Sequence, residues 1–119
     1  MNLKDIKFKN LFAQSNFYEV RNILELINKN EIDYKLISHF TLTRKEVYDI
    51  FNTRYEIQKF VTKKDIFKGY DELLSNISNI SDNVILKIIA LKTDDIFIQF
   101  FINNESDELL GILWKVYNE

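Results

Sequence analysis

The segment NVILKIIALKTDDIFIQFFIN, residues 83–103, is the most apolar part of this 119-residue chain, and two adjacent acids interrupt it. A helix over residues 95–102 would be apolar on every side, and a small protein has little interior in which to bury such a helix. The isoleucine and phenylalanine content suits the pleated surface of a buried strand. Asp94 and Asp95 suit a turn, because aspartate tolerates the left-handed backbone conformation. We therefore predict a hairpin of strands 84–91 and 95–102.

A third strand and three helices are predicted around this hairpin. The segment LLGILWKVY, residues 109–117, follows the polar turn NESDE and completes an antiparallel meander. Apolar residues at helical spacing predict helices in residues 15–30, 43–52 and 62–77. The predicted fold class is α+β, with N-terminal helices packed on a C-terminal three-stranded antiparallel meander.

An all-α helical bundle is the alternative fold. Three pairs in the C-terminal half have the form of helix N-caps, namely Ser81-Asp82, Thr93-Asp94 and Ser106-Asp107. The segment EIDYKLISHFTLT, residues 31–43, fits either a strand or a short helix, and the opening residues 5–12 are equally ambiguous.

The sequence makes specific predictions for the starts of the second and third helices. Thr43 followed by Glu46 predicts a capping box for the second helix. Val47, Ile50 and Phe51 are predicted to form the buried stripe of this helix. The third helix is expected to open at Thr62 and Asp65 and to run through Gly69, which weakens a helix by up to about 1 kcal/mol against alanine.

The two faces of the predicted meander follow from strict alternation. One face carries the even-numbered residues, among them Ile88, Phe100 and Trp114, and is predicted to be the core face against the helices. The opposite face carries Phe97 and Phe101 around three polar residues, Lys87, Gln99 and Lys115. Because that face is too apolar to be left to water, we expect a helix or a partner to cover it.

Composition predicts one domain over residues 1–119, with 46% apolar residues for a packed interior. The chain has no cysteine and one histidine, His39, which excludes a thiol nucleophile, a disulfide and a structural zinc site. Gly69 and Gly111 are isolated and form no phosphate-binding loop. No catalytic residue, metal site or cofactor is predicted. Because no apolar run reaches the length of a signal or a membrane span, we predict a cytoplasmic protein without membrane contact.

Charge is divided unevenly along the chain, although its net value is −2. Residues 1–68 carry thirteen Lys/Arg against nine Asp/Glu, and residues 69–119 carry three against nine. The basic half contains a cluster interleaved with aromatic residues, typical of a phosphate-binding patch: Arg44, Lys45, Arg54, Lys59, Lys63, Lys64 and Lys68. A small nucleic-acid-binding regulator is therefore an alternative, although a pI near 5.5 makes nucleic acid the less favoured partner.

In size, composition and the absence of catalytic motifs, the chain resembles small bacterial immunity proteins that neutralise a co-encoded toxin. Phage-encoded inhibitors of host defence proteins have the same profile. The resemblance implies a non-enzymatic inhibitor that binds a basic toxin or effector domain, such as a nuclease, through an acidic interface. The predicted partner-binding residues are Asp94, Asp95, Glu105, Asp107, Glu108, Phe97 and Phe101.

Overall fold

The structure, a computed structural model, describes residues 33–60 and 66–117. Its elements are, in chain order, β1 (Lys35–Thr43), α1 (Arg44–Gln58), α2 (Tyr70–Ser78), β2 (Ile85–Lys92), β3 (Ile96–Asn103) and β4 (Leu109–Val116). The strands form one antiparallel sheet in the order β1-β2-β3-β4. The α+β class is confirmed, and an all-α bundle is excluded.

The sheet has four strands, so the prediction of three is wrong. The extra strand is β1, and both described helices lie between β1 and β2 rather than before every strand. A β-bulge between Leu36 and Ser38 places one additional residue in β1. That residue interrupts the alternation of apolar side chains, which is why the sequence fitted strand and helix equally. The predicted helix at 15–30 and the segment 5–12 lie outside the described residues.

The start of α1 agrees with the predicted capping box. The Thr43 Oγ1 accepts a hydrogen bond from the Glu46 N–H (3.2 Å), and the Glu46 carboxylate accepts from the Thr43 N–H (3.0 Å). These bonds hold the pKa of the Glu46 carboxyl below its usual range, with the Thr43 backbone as the main cause. Val47 and Phe51 are buried as predicted, whereas Ile50 is 38% exposed.

The helix predicted over 62–77 begins later, at Tyr70. Gly69 has φ 102°, a left-handed conformation that ends any helix entering from the N-terminal side. A Cβ at this position would overlap the carbonyl oxygen of Ile112, so the close approach requires glycine. Just before it, Lys68 forms an isolated antiparallel bridge with Trp114. Gly69 is thus the start of α2 rather than a weak point inside a longer helix.

The β2–β3 turn sets the register of the sheet. The Thr93 N–H donates to the Ile96 carbonyl (2.9 Å), so only two residues, Asp94 and Asp95, lie between the paired ends. The Thr93 hydroxyl accepts from the N–H groups of Asp95 (3.2 Å) and Ile96 (3.1 Å). Among the described residues, Asp107 is the one non-glycine residue with positive φ, so the predicted left-handed conformation at Asp94 or Asp95 is wrong.

This two-residue turn corrects the predicted faces. It places Ile88 opposite Phe101 rather than opposite an even-numbered residue of β3. Directly opposite residues in an antiparallel pair point to the same face. Even-numbered residues of β2 therefore share a face with odd-numbered residues of β3, so Ile88 lies with Phe101 and away from Phe100.

The face with Ile88 and Phe101 packs against both described helices. Phe101 is completely buried, and its ring meets that of Phe51 edge to face at 4.8 Å. The cluster comprises Val47, Phe51, Tyr70, Leu73, Leu74, Ile77, Leu86, Ile88, Phe101, Leu110 and Leu113. The prediction that these helices lie on the Phe100 and Trp114 face is wrong.

The opposite face of β2, β3 and β4 is buried as well. Its side chains are at most 3% exposed: Ile89, Leu91, Ile96, Ile98, Phe100, Ile102, Ile112 and Trp114. Both faces of these three strands are therefore interior, which matches their nearly continuous apolar sequences. β1 differs, because most of its residues are exposed.

Replacing Phe101 with alanine should destabilise the protein by about 3–5 kcal/mol, because the change leaves a cavity against Phe51 and α2. The matched control is Phe60→Ala, since Phe60 is 91% exposed. We expect that control to change the free energy of unfolding by no more than about 0.5 kcal/mol. Chemical denaturation of both variants measures the difference, and equal effects would contradict the described register.

The capping box should make stability depend on pH. Because the Glu46 pKa is lower in the folded state than in the unfolded chain, its contribution is complete above the unfolded-state pKa and is lost as the pH falls through the folded-state pKa. Glu46→Gln should therefore lower the melting temperature at neutral pH, and the deficit should shrink in acid. Glu56→Gln, on the same helix, is the control, and a deficit of the same size at every pH would rule out this linkage.

Candidate functional site

The five predicted acidic residues lie in two turns at opposite ends of β3. Asp94 and Asp95 are exposed in the β2–β3 turn, and Glu105 and Asp107 are exposed in the β3–β4 turn. Eight residues of strand separate the turns, or roughly 25 Å at 3.3 Å per residue. The structure therefore does not bring the acids together, and each turn is a separate candidate.

The β3–β4 turn is held by local hydrogen bonds. The Asn103 side-chain oxygen accepts from the N–H groups of Glu105 (3.0 Å) and Ser106 (3.3 Å). Asp107 lies 3.4 Å from the Lys87 ammonium, which partly neutralises its charge. Glu108, the third predicted acid here, is half-buried. Little uncompensated acidic surface remains at this turn besides Glu105.

The two predicted aromatic contact residues are turned toward the helices. Phe101 is completely buried against Phe51, so we remove it from the candidate interface. Phe97 is half-buried, and its ring meets Phe67 edge to face at 5.9 Å. Both belong to the packing between sheet and helices, as the two-residue turn requires.

An exposed apolar surface that the sequence-based site did not include lies on β1. Four large side chains in and beside this strand are 41–56% exposed: Tyr34, Leu36, Ile37 and Phe40. A cleft of about 600 Å³ lies at the start of the strand, between Asp33, Tyr34 and Ile37 on one side and Lys92 and Asp94 on the other. We call these residues together, the four apolar side chains with Asp33, Asp94 and Asp95, the edge surface.

The two edges of the sheet differ. At the β4 edge, the Lys68 N–H donates to the Trp114 carbonyl (2.8 Å), and the Trp114 N–H donates to the Lys68 carbonyl (3.1 Å). Within residues 33–60 and 66–117, no strand pairs with the outer side of β1. The edge surface thus combines exposed apolar side chains with a strand edge that the described part of the chain leaves open.

Most described cations of the basic cluster have partners within the chain. Arg44 pairs with Asp82, Lys45 with Asp49 and Lys59 with Glu56. The Arg54 guanidinium lies 4.9 Å from the centre of the Phe51 ring. Lys63 and Lys64 lie outside the described residues. Carboxylates beside the cations reduce their attraction for phosphate.

Other chemistry has little support at this surface. His39 is exposed on β1. In the described ranges, no three His, Cys, Asp or Glu side chains come together as metal ligands do. None of the described helices is both long and apolar enough to cross a membrane.

No protein-family model, curated protein or solved structure matches this chain.

The basic cluster should not make the protein a nucleic-acid binder. We expect no appreciable binding to mixed-sequence duplex or single-stranded DNA or RNA at physiological ionic strength, measured by fluorescence anisotropy. Sub-micromolar affinity that falls steeply with salt, and that Lys63→Glu with Lys64→Glu abolishes, would instead favour the nucleic-acid-binding regulator.

Proposed function

We propose that this chain is a non-enzymatic protein-binding inhibitor that neutralises a basic toxin or effector domain. The observation that supports this proposal most strongly is the edge surface, where β1 exposes apolar side chains on both of its faces and acidic residues lie at its start. The resemblance to small immunity proteins in size and composition points in the same direction. The contact is assigned to β1 and the β2–β3 turn.

The apolar side chains have the properties of an interface centre. Monomeric proteins seldom leave large apolar side chains exposed next to one another. Burial of such side chains contributes about 25 cal/mol per Å² of apolar surface, before the costs of association. Tyrosine and phenylalanine are also enriched at protein interfaces. Tyr34 and Phe40 are therefore the residues that we expect to contribute most to affinity.

The acidic residues form one rim of this centre. Asp33 and Asp94 line the cleft at the start of β1, and Asp95 is the next residue of the same turn. Acids at a rim attract a basic partner and accelerate its association more than they strengthen the final complex. Lys35 and Lys92 lie nearby, so the rim is acidic without being uniformly so. The Lys92 ammonium lies 5.3 Å from the centre of the Tyr117 ring.

The proposal is tested by binding kinetics with a toxin domain encoded next to this chain's gene. Phe40→Ala should raise the dissociation rate at least tenfold, which corresponds to about 1.4 kcal/mol of binding free energy. The double variant Asp94→Lys with Asp95→Lys should chiefly slow association, and the effect should weaken as salt is added. The melting temperature of free Phe40→Ala should stay close to that of the wild type.

Glu105→Lys is the control, because Glu105 is an exposed acid at the opposite turn. If Glu105→Lys weakened the complex while the β1 variants bound normally, the β3–β4 turn would be the interface. Substrate turnover by the purified chain would overturn the non-enzymatic reading.

A further inference from the structure

Within residues 33–60 and 66–117, the outer edge of β1 lacks most of the features that keep sheet edges from pairing. The strand is nine residues long, KLISHFTLT, with no proline and with Lys35 as its one permanent charge. Natural edge strands usually avoid pairing through short length, proline, several charges or a covering segment. A β-bulge also disfavours pairing at an edge, and β1 has one after Leu36.

The opposite edge of the sheet shows how this chain closes an edge. There, the backbone of Lys68 pairs with Trp114, and Gly69 allows the segment to lie directly against Ile112 and Trp114. No equivalent segment closes β1 within the described ranges. An added strand at β1 would therefore extend the sheet without displacing any described contact.

The side chains of β1 would contribute apolar contacts on both faces of such an extended sheet. Phe40 is opposite Ile88 and points to the helix-covered face, whereas Leu36 is opposite Leu91 and points to the other face. The bulge between them causes this change of face. Both side chains are more than 40% exposed, so an added strand would bury apolar surface on both faces.

We infer that, in the absence of its target, β1 pairs with β1 of a second copy of this chain, antiparallel about a two-fold axis near the middle of the strand. A two-fold axis makes two identical strands antiparallel, as every pair in this sheet already is. Because Lys35 is the first residue of β1, the two lysines lie at opposite ends of the pair. No like permanent charges then face each other, and the residues nearest the axis are Ser38, His39 and Phe40.

This inference rests on the proposed function, since it concerns regulation of the same surface. The second copy covers Leu36 and Phe40 until a target replaces it. Target binding is then linked to dissociation of the pair, so the apparent affinity for the target should fall as the concentration of the chain rises.

The test is sedimentation velocity of the full chain over a concentration series. The wild-type chain should sediment as a dimer at high concentration, and Leu36→Lys should raise the dimer dissociation constant at least tenfold, since it places a charge at the paired edge. Ile57→Lys is the matched control, because Ile57 on α1 is 57% exposed and Leu36 is 56% exposed. Amide exchange of β1 should also slow on dimerisation. A wild-type monomer at all concentrations, or equal dissociation by Ile57→Lys, would overturn the inference.

Failure of this inference can be separated from failure of the proposed function. If the wild-type chain is monomeric but Leu36→Lys still weakens target binding, self-pairing is wrong and the edge surface remains the target site. If a dimer forms through β1 and the target binds Leu36→Lys as well as wild type, self-pairing holds and the target site lies elsewhere.

Discussion

The hydrogen bonds that close the turn at Thr93 decide which side chains of this protein are interior. The Thr93 N–H bonds to Ile96, and the Thr93 hydroxyl binds two further N–H groups. Thr93 is itself only 4% exposed, so these bonds are shielded from competing water. With two residues in the turn, Ile88 faces Phe101, and a turn of three residues would reverse that relation.

The same register limits where the proposed partner could bind. It turns Phe97 and Phe101 toward the helix-covered face, where their rings meet those of Phe67 and Phe51. The opposite face of β2–β4 is also interior, so neither broad face of these strands offers a binding surface. Among the strands, β1 leaves the most apolar side chains exposed, with the acidic β2–β3 turn at its start. We therefore propose that the interface lies at an edge of the sheet.

Local sequence signals predicted several elements correctly. The strands of the meander followed from apolar content, and the capping box followed from Thr43 and Glu46, because both depend on neighbouring residues. The relative faces of β2 and β3 could not be predicted from neighbouring residues, since they depend on whether the turn between the strands holds an even or odd number of residues. The bulge in β1 hid its strand pattern, and the conformation of Gly69 depends on a distant contact with Ile112. The acids were predicted to lie in turns, but the pairing of Asp107 with Lys87 depends on tertiary structure.

The register of β2 and β3 is tested most directly by a nuclear Overhauser spectrum of the isotopically labelled chain. The spectrum reports backbone contacts between the two strands. The described register predicts cross-strand contacts that join Ile88 with Phe101 and Ala90 with Gln99, together with ring contacts between Phe101 and Phe51. Cross-strand contacts that join Ile88 with Phe100, without contact between the Phe101 and Phe51 rings, would contradict it. Phe97 and Phe101 would then face away from the helices, and the assignment of the interface to β1 would lose its basis.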